Sequence, residues 1–249
     1  SWWGPDWLII ATSYSGNTEE TLDGVKEALE SGGTVIGISS GGELKKVITE
    51  DEECLYLQVP SGQMPRSAFG HLFGTQLAVC WEIGIIEKPN PEEITSMLSR
   101  LRSLSIDSDI SGGNGLVISV AESMLGKQIG IITPTVLSCA GRRFSNQLNE
   151  NSDVFARSTE LPEMNHNEIV AWASSESNEH SLIYFSCEDI HPRIRSRMNW
   201  MLENIANENS WIIDCEGESL LERLLYASHI SDWISIALAL LRGVDPSEM

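Results

Sequence analysis

The sequence is poor in positive charge. Sixteen lysines and arginines stand against 36 aspartates and glutamates, a formal net charge of −20 at pH 7 over 249 residues. No basic run exists to neutralise a phosphodiester backbone, which argues against nucleic acid as a partner. Long hydrophobic runs are also missing. None reaches the ~18 residues of a membrane span, and the most apolar stretch, around Ile234–Leu241, reads as a buried helix. No membrane partner is expected. The opening residues, Ser1-Trp2-Trp3-Gly4-Pro5, lack the basic-then-apolar pattern of a secretory signal. Cysteine is sparse: positions 54, 80, 139, 187 and 215, odd in number and without a Cys-x-x-Cys pair. This pattern suits free thiols in a reducing cytoplasm and no zinc site. His71, His180, His191 and His229 have no metal-ligand spacing.

What remains is 41% hydrophobic, enough for one large α/β domain or two ordinary ones. The acidity fits a solvated surface or adaptation to high salt. It also means that a phosphorylated substrate would be repelled at long range. A phosphate site must then be locally positive, helped by salt that screens exposed charges over roughly 8 Å at ~0.15 M.

Strand and helix patterns alternate. Trp7–Ser13 is an apolar run that predicts a strand buried on both faces, and Leu22, Val25 and Leu29 give helical spacing over 18–30. Further strands are expected at 34–39, 54–59, 128–133, 154–158, 182–186 and 211–214. Intervening helices are expected at 42–49, 67–86, 92–104, 116–125, 136–149, 192–207 and 220–241, with a short helix beginning near Asn165. The polar stretch Ser105–Gly113 is the candidate linker. The expected organisation is a first domain over 1–88, a helical connection over 89–112 and a second domain over 113–249. Each domain is a doubly wound parallel sheet with helices on both faces. The eight tryptophans read as core or interface, and Arg193, Arg195 and Arg197 as a solvent-facing helix start. Arg142-Arg143 reads either as support for a site or as an exposed helical pair.

The first strand–loop–helix junction carries the strongest local signal. In Ser13-Tyr14-Ser15-Gly16-Asn17-Thr18-Glu19-Glu20-Thr21, a glycine and three hydroxyl residues precede a helix. Free N–H groups and the positive end of the helix dipole collect at such a junction. Serine and threonine donate to a dianion without adding charge, so Ser13, Ser15 and Thr18 are the candidate phosphate ligands. An ordinary helix cap with a turn glycine would share part of this pattern. Flavodoxins hold FMN phosphate with a similar loop, and sugar isomerase (SIS) domains use Ser-x-Ser-Gly-x-Thr at the same place. The loop alone leaves both open.

A second group of residues narrows the choice. Asn149-Glu150-Asn151 ends a predicted helix, and Leu161-Pro162-Glu163-Met164-Asn165-His166-Asn167-Glu168-Ile169 follows a predicted strand. A glutamate and a histidine in a chain with a phosphate loop suggest acid–base chemistry. Taken together, the loop, Asn-Glu-Asn and Pro-Glu-Met-Asn-His-Asn-Glu-Ile resemble the bifunctional phosphoglucose/phosphomannose isomerase family, which is common in archaea. Gly41-Gly42 and Pro65-Arg66 also match, and the resemblance runs from about Trp7 to Pro246.

The resemblance implies a cofactor-free isomerase with two SIS domains that interconverts glucose 6-phosphate or mannose 6-phosphate with fructose 6-phosphate. It implies that Ser13, Ser15 and Thr18 grip the phosphate and that Glu150 moves a proton between C1 and C2. Arg66 would stabilise the enediolate. His166 would assist ring opening from the partner subunit of a homodimer. Family members also have an earlier strand with a Gly-rich loop, and a later helix carrying a threonine and a lysine. The sequence is therefore expected to be truncated at both ends, its first domain lacking a strand, or else to belong to a divergent member. A non-catalytic sugar-phosphate-binding SIS protein and a flavodoxin-like FMN protein are the alternative readings.

Overall fold

A computed structural model describes residues 4–174 and 179–248. The chain divides into two compact units, 1–89 and 90–249.

In the first unit, β1 (Leu8–Thr12), α1 (Glu19–Glu30), β2 (Thr34–Ser39), α2 (Gly42–Thr49) and β3 (Leu55–Gln58) alternate. A 3-10 turn, Pro65–Ala68, then leads into α3 (Phe69–Glu82). The strands form a parallel sheet in the order β1-β2-β3. Central β2 is buried from Val35 to Ser39, as a strand covered on both faces must be. β1 differs from expectation. It is an edge strand in this sheet, Ala11 is its buried residue, and Leu8 is exposed. The small core comprises Ala11, Val25, Ala28, Val35, Leu44 and Ile48.

The second unit begins with α4 (Pro91–Asp107) and α5 (Leu116–Ser123). It continues through β4 (Gln128–Pro134), α6 (Ser138–Ser152), β5 (Ala156–Leu161) and α7 (Ile169–Trp172). β6 (His180–Ser186), α8 (Pro192–Asn204), β7 (Trp211–Asp214) and α9 (Leu220–Arg242) complete it. The sheet order is β5-β4-β6-β7, all parallel. The chain therefore reverses direction of growth at β4, a doubly wound arrangement.

Asn90 starts α4 with a capping box: its Oδ1 accepts from Glu93 N–H and its own N–H donates to Glu93, each at 2.9 Å. α4 belongs to the second unit. Leu104 enters the core, Ser105 Oγ lies 2.6 Å from His229 Nε2, and Arg100 forks onto buried Glu222. Most of the stretch read as a linker is thus helix end and a 3-10 turn, Ile110–Gly112.

The core packs Phe144 of α6 on Phe185 of β6, stacked at 6.0 Å. Gly141 lets α6 lie directly on the sheet. A Cβ there would stand 2.5 Å from Thr133 Cγ2 and 3.0 Å from Ser158 Oγ. α9 is long and apolar enough by length and composition to cross a membrane, yet it buries Glu222, Arg223, Ser231 and Ser235 and packs against α4, α5 and α6. It is the core helix of this unit.

Candidate active site

At the C-terminal edge of the first sheet, the loop 13–18 closes on itself. Ser13 Oγ accepts from Gly16 N–H at 3.1 Å and lies 2.7 Å from Thr18 Oγ1. Ser13 is buried, while Ser15 and Thr18 are exposed. The loop's turn requires Gly16, whose φ is +71° and whose missing Cβ would fall 1.9 Å from the Gly41 carbonyl oxygen. Asn17 faces inward in function: its Oδ1 accepts from Glu43 N–H at 3.0 Å and caps α2, whose own N-cap residue is Gly41. Thr18 is the N-cap of α1, and its side chain makes no cap hydrogen bond. The helix's first-turn N–H groups and the dipole are left to an anion. The loop thus has the build of a phosphate site: buried Ser13 braces it through Gly16 N–H and Thr18 Oγ1, Ser15 Oγ accepts from Asn17 N–H at 3.2 Å, and Ser15 and Thr18 are exposed.

Arg66 is half-buried in the 3-10 turn that Pro65 opens. It follows the loop leaving β3, so the first unit brings Arg66 and the phosphate loop to one sheet edge. One hydrogen bond joins the loop before Arg66 to the phosphate loop. Gln63 N–H, three residues before Arg66, donates to Tyr14 Oη at 2.8 Å.

The second unit does not bring Glu150 and His166 together. Glu150 is exposed in the last turn of α6, beside Asn149, whose Oδ1 accepts from Ala156 N–H at 3.2 Å. Ala156 opens β5 opposite Ile129, so Glu150 stands at the N-terminal edge of the sheet. His166, also exposed, ends a 3-10 turn, Glu163–His166, just beyond Leu161, the last residue of β5. Five strand steps, about 17 Å, separate the two edges.

Of the supporting residues, Arg143 was one of the two readings given for Arg142-Arg143, and the others were not foreseen. On α6, Arg143 and Gln147 share a face with Glu150, and both donate to Asp232 of α9 at 2.8 Å. This assigns Arg143 to supporting the helix that carries Glu150. Glu168, within the Pro-Glu-Met-Asn-His-Asn-Glu-Ile string, takes a fork from Arg157 at 2.7 and 2.6 Å and a bond from Thr159 Oγ1 at 2.9 Å. The Arg157 bonds come first among the causes that hold its carboxyl below the usual range. Arg195, read as solvent-facing, instead donates to the carbonyls of Cys187 and Glu188, at 2.7 and 3.1 Å. Helical alternation carried no signal for either bond.

Comparison with known proteins gives the family. A model of the bacterial phospho-glucose isomerase C-terminal SIS domain matches residues 117–249. A bifunctional phosphoglucose/phosphomannose isomerase of Aquifex aeolicus is 32% identical over 97% of this chain and 72% of its own length. The chain belongs to this family. Another relative of this family member is a D-glucosamine-6-phosphate 4-epimerase of Sulfolobus acidocaldarius, 31% identical over 77% of this chain and 59% of its own. Among solved structures, tagatose-6-phosphate ketose/aldose isomerase of Escherichia coli shares the fold, with a TM-score of 0.72 over 98% of this chain and 71% of its own at 15% identity.

Proposed function

We propose that this chain is a cytoplasmic aldose–ketose isomerase acting on a hexose 6-phosphate, interconverting glucose 6-phosphate or mannose 6-phosphate with fructose 6-phosphate. The observation that carries the reading is the phosphate loop at the N-terminus of α1, with Ser15 and Thr18 exposed and no cap bond from the Thr18 side chain, in a chain of this family. The phosphate is bound there, with Ser13 holding the loop closed. The domain limits 1–88 and 113–249 remain our reading of the two SIS repeats.

The chemistry follows from the residue types. Once the ring is open, the C2–H of the aldose is acidified by the adjacent carbonyl. The Glu150 carboxylate takes that proton, and the electron pair forms the C1–C2 double bond of an enediolate. The Arg66 guanidinium stabilises the negative oxygens, and Glu150 returns the proton at C1. Oxidation level is conserved overall, so no redox cofactor is required. His166 moves a proton during ring opening. Planarity at C2 in the enediolate allows both epimeric aldoses to meet at one ketose.

Glu150 and His166 lie at opposite edges of one sheet, which supports a site shared by two subunits of a homodimer, each giving one of the pair. Glu150→Gln keeps shape and removes the basic oxygen, so turnover should fall at least about 10²-fold, with sugar-phosphate affinity within a few-fold. Exchange of the C2 hydrogen with solvent deuterium should vanish with it. Exchange at the wild-type rate in the variant would show that another group is the base. Sugar-phosphate binding with no catalysis in the wild type would instead favour a sugar-phosphate-binding SIS protein. A bound yellow chromophore would favour an FMN protein.

A further inference from the structure

Tyr14 hydrogen-bonds to both of the other loops at the C-terminal edge of the first sheet. Its main-chain carbonyl accepts from Ser40 twice, from N–H at 2.9 Å and from Oγ at 2.7 Å, which binds it to the turn after β2. Its phenol reaches the loop after β3 and accepts from Gln63 N–H at 2.8 Å. That loop needs a tie. Pro60, Ser61, Gly62 and Gln63 are all exposed, and no helix or strand runs between Gln58 and Pro65. Arg66 begins where it ends.

A hexose 6-phosphate carries its phosphorus and its C1–C2 bond at opposite ends, so a site that grips one end must hold the groups for the other at a matching spacing. A phenol suits this task because it has only two side-chain torsions and a polar tip. We propose that Tyr14 is a positioning residue that sets the spacing between the phosphate loop and Arg66, acting through the Gln63 N–H. The inference rests on the reading of Arg66 given above.

The test is Tyr14→Phe in the full-length protein, which removes one oxygen and keeps the ring. Water can replace the lost bond at exposed Gln63, so the loop loosens without unfolding. A misplacement approaching 1 Å can cost up to about 10²-fold, so kcat should fall about 10-fold or more. The KM for glucose 6-phosphate and the inhibition constant of inorganic phosphate should stay within about twofold, and the unfolding temperature should hold. A merely structural role would move all of these together.

Arg66→Lys and the double variant are measured alongside. Arg66→Lys should itself be slow, because lysine lacks the guanidinium fork. Tyr14→Phe should add little to it, since both changes remove one correctly placed fork. Full kcat in Tyr14→Phe beside a slow Arg66→Lys overturns the Tyr14 inference alone. Full kcat in Arg66→Lys overturns the reading of Arg66 and this inference with it. A phosphate inhibition constant that worsens in step with kcat, or fully additive losses, also overturns it.

Discussion

Replacing Gly16 by alanine places a methyl group where the structure has least room. The backbone there has φ +71°, and the new Cβ would stand 1.9 Å from Gly41 O, 2.9 Å from Gly41 C and 3.1 Å from Ser39 Oγ. Left-handed backbone costs alanine about 1–2 kcal/mol by itself. Ordinary contact begins at 3.4 Å, so the turns 13–18 and 40–42 must also part by about 1.5 Å. That movement carries the phosphate-facing donors out of the 2.7–2.9 Å range of charge-assisted bonds.

Each such bond contributes about 1.5–3 kcal/mol, so losing one weakens inorganic phosphate binding about 10- to 100-fold. Gly84→Ala is the matched control, with φ +73° and nothing within 4 Å of the added carbon. It pays the backbone cost alone. Urea unfolding and calorimetric titration with phosphate separate the two. Gly16→Ala should lose more stability than Gly84→Ala and nearly all measurable phosphate affinity, while Gly84→Ala binds normally. Equal stabilities with phosphate binding intact in both would refute the argument that the turn 40–42 backs the phosphate loop.

Other outcomes follow from the second unit. Glu150→Gln and His166→Ala proteins, unfolded and refolded together, should regain about a quarter of wild-type activity if each site draws one residue from each copy. No recovery on mixing two folded, dimeric variants would refute the shared site. Glu168 has its carboxyl held low, first by Arg157, so its contribution is complete above the unfolded glutamate pKa of about 4.3 and is lost as pH falls through the lower folded value. The stability gap between wild type and Glu168→Gln should therefore close on acidification in that range. A gap that persists unchanged down to about pH 3 would show that the Arg157 fork is not its source.

Much of the fold was legible because buried parallel strands announce themselves as apolar runs. The stretches 34–39 and 128–133 became β2 and β4 with little change in bounds. β1 was misjudged for burial because an apolar run does not say whether its strand has a neighbour on both sides. Ser105–Gly113 looked like a linker by its serine, aspartate and glycine content, but Leu104 and Ser105 find partners on α9, about 120 residues away in sequence. At the candidate site, the strand–loop–helix junction over residues 13–18 was readable since it is local. That Ser13 is buried beneath the loop was not, because three hydroxyls in a row of six residues look alike until the turn is closed. The Tyr14–Gln63 bond spans 49 residues and has no motif. The distance between Glu150 and His166 is a matter of direction: a helix after a parallel strand carries its end back to where that strand began.

That return journey makes Gly141 part of the catalytic inheritance, though it touches no substrate. It is the seat on which α6 rests, nine residues before the proposed base, about 13 Å along the axis. Tilting the helix by about 5° to house a methyl group would swing its tip by roughly 1 Å, and an error of that size is worth about a hundredfold in rate. Selection for turnover therefore reaches a hidden glycine on the far side of a lever. A survey of tolerated changes should find this buried contact as unforgiving as the carboxylate it aims.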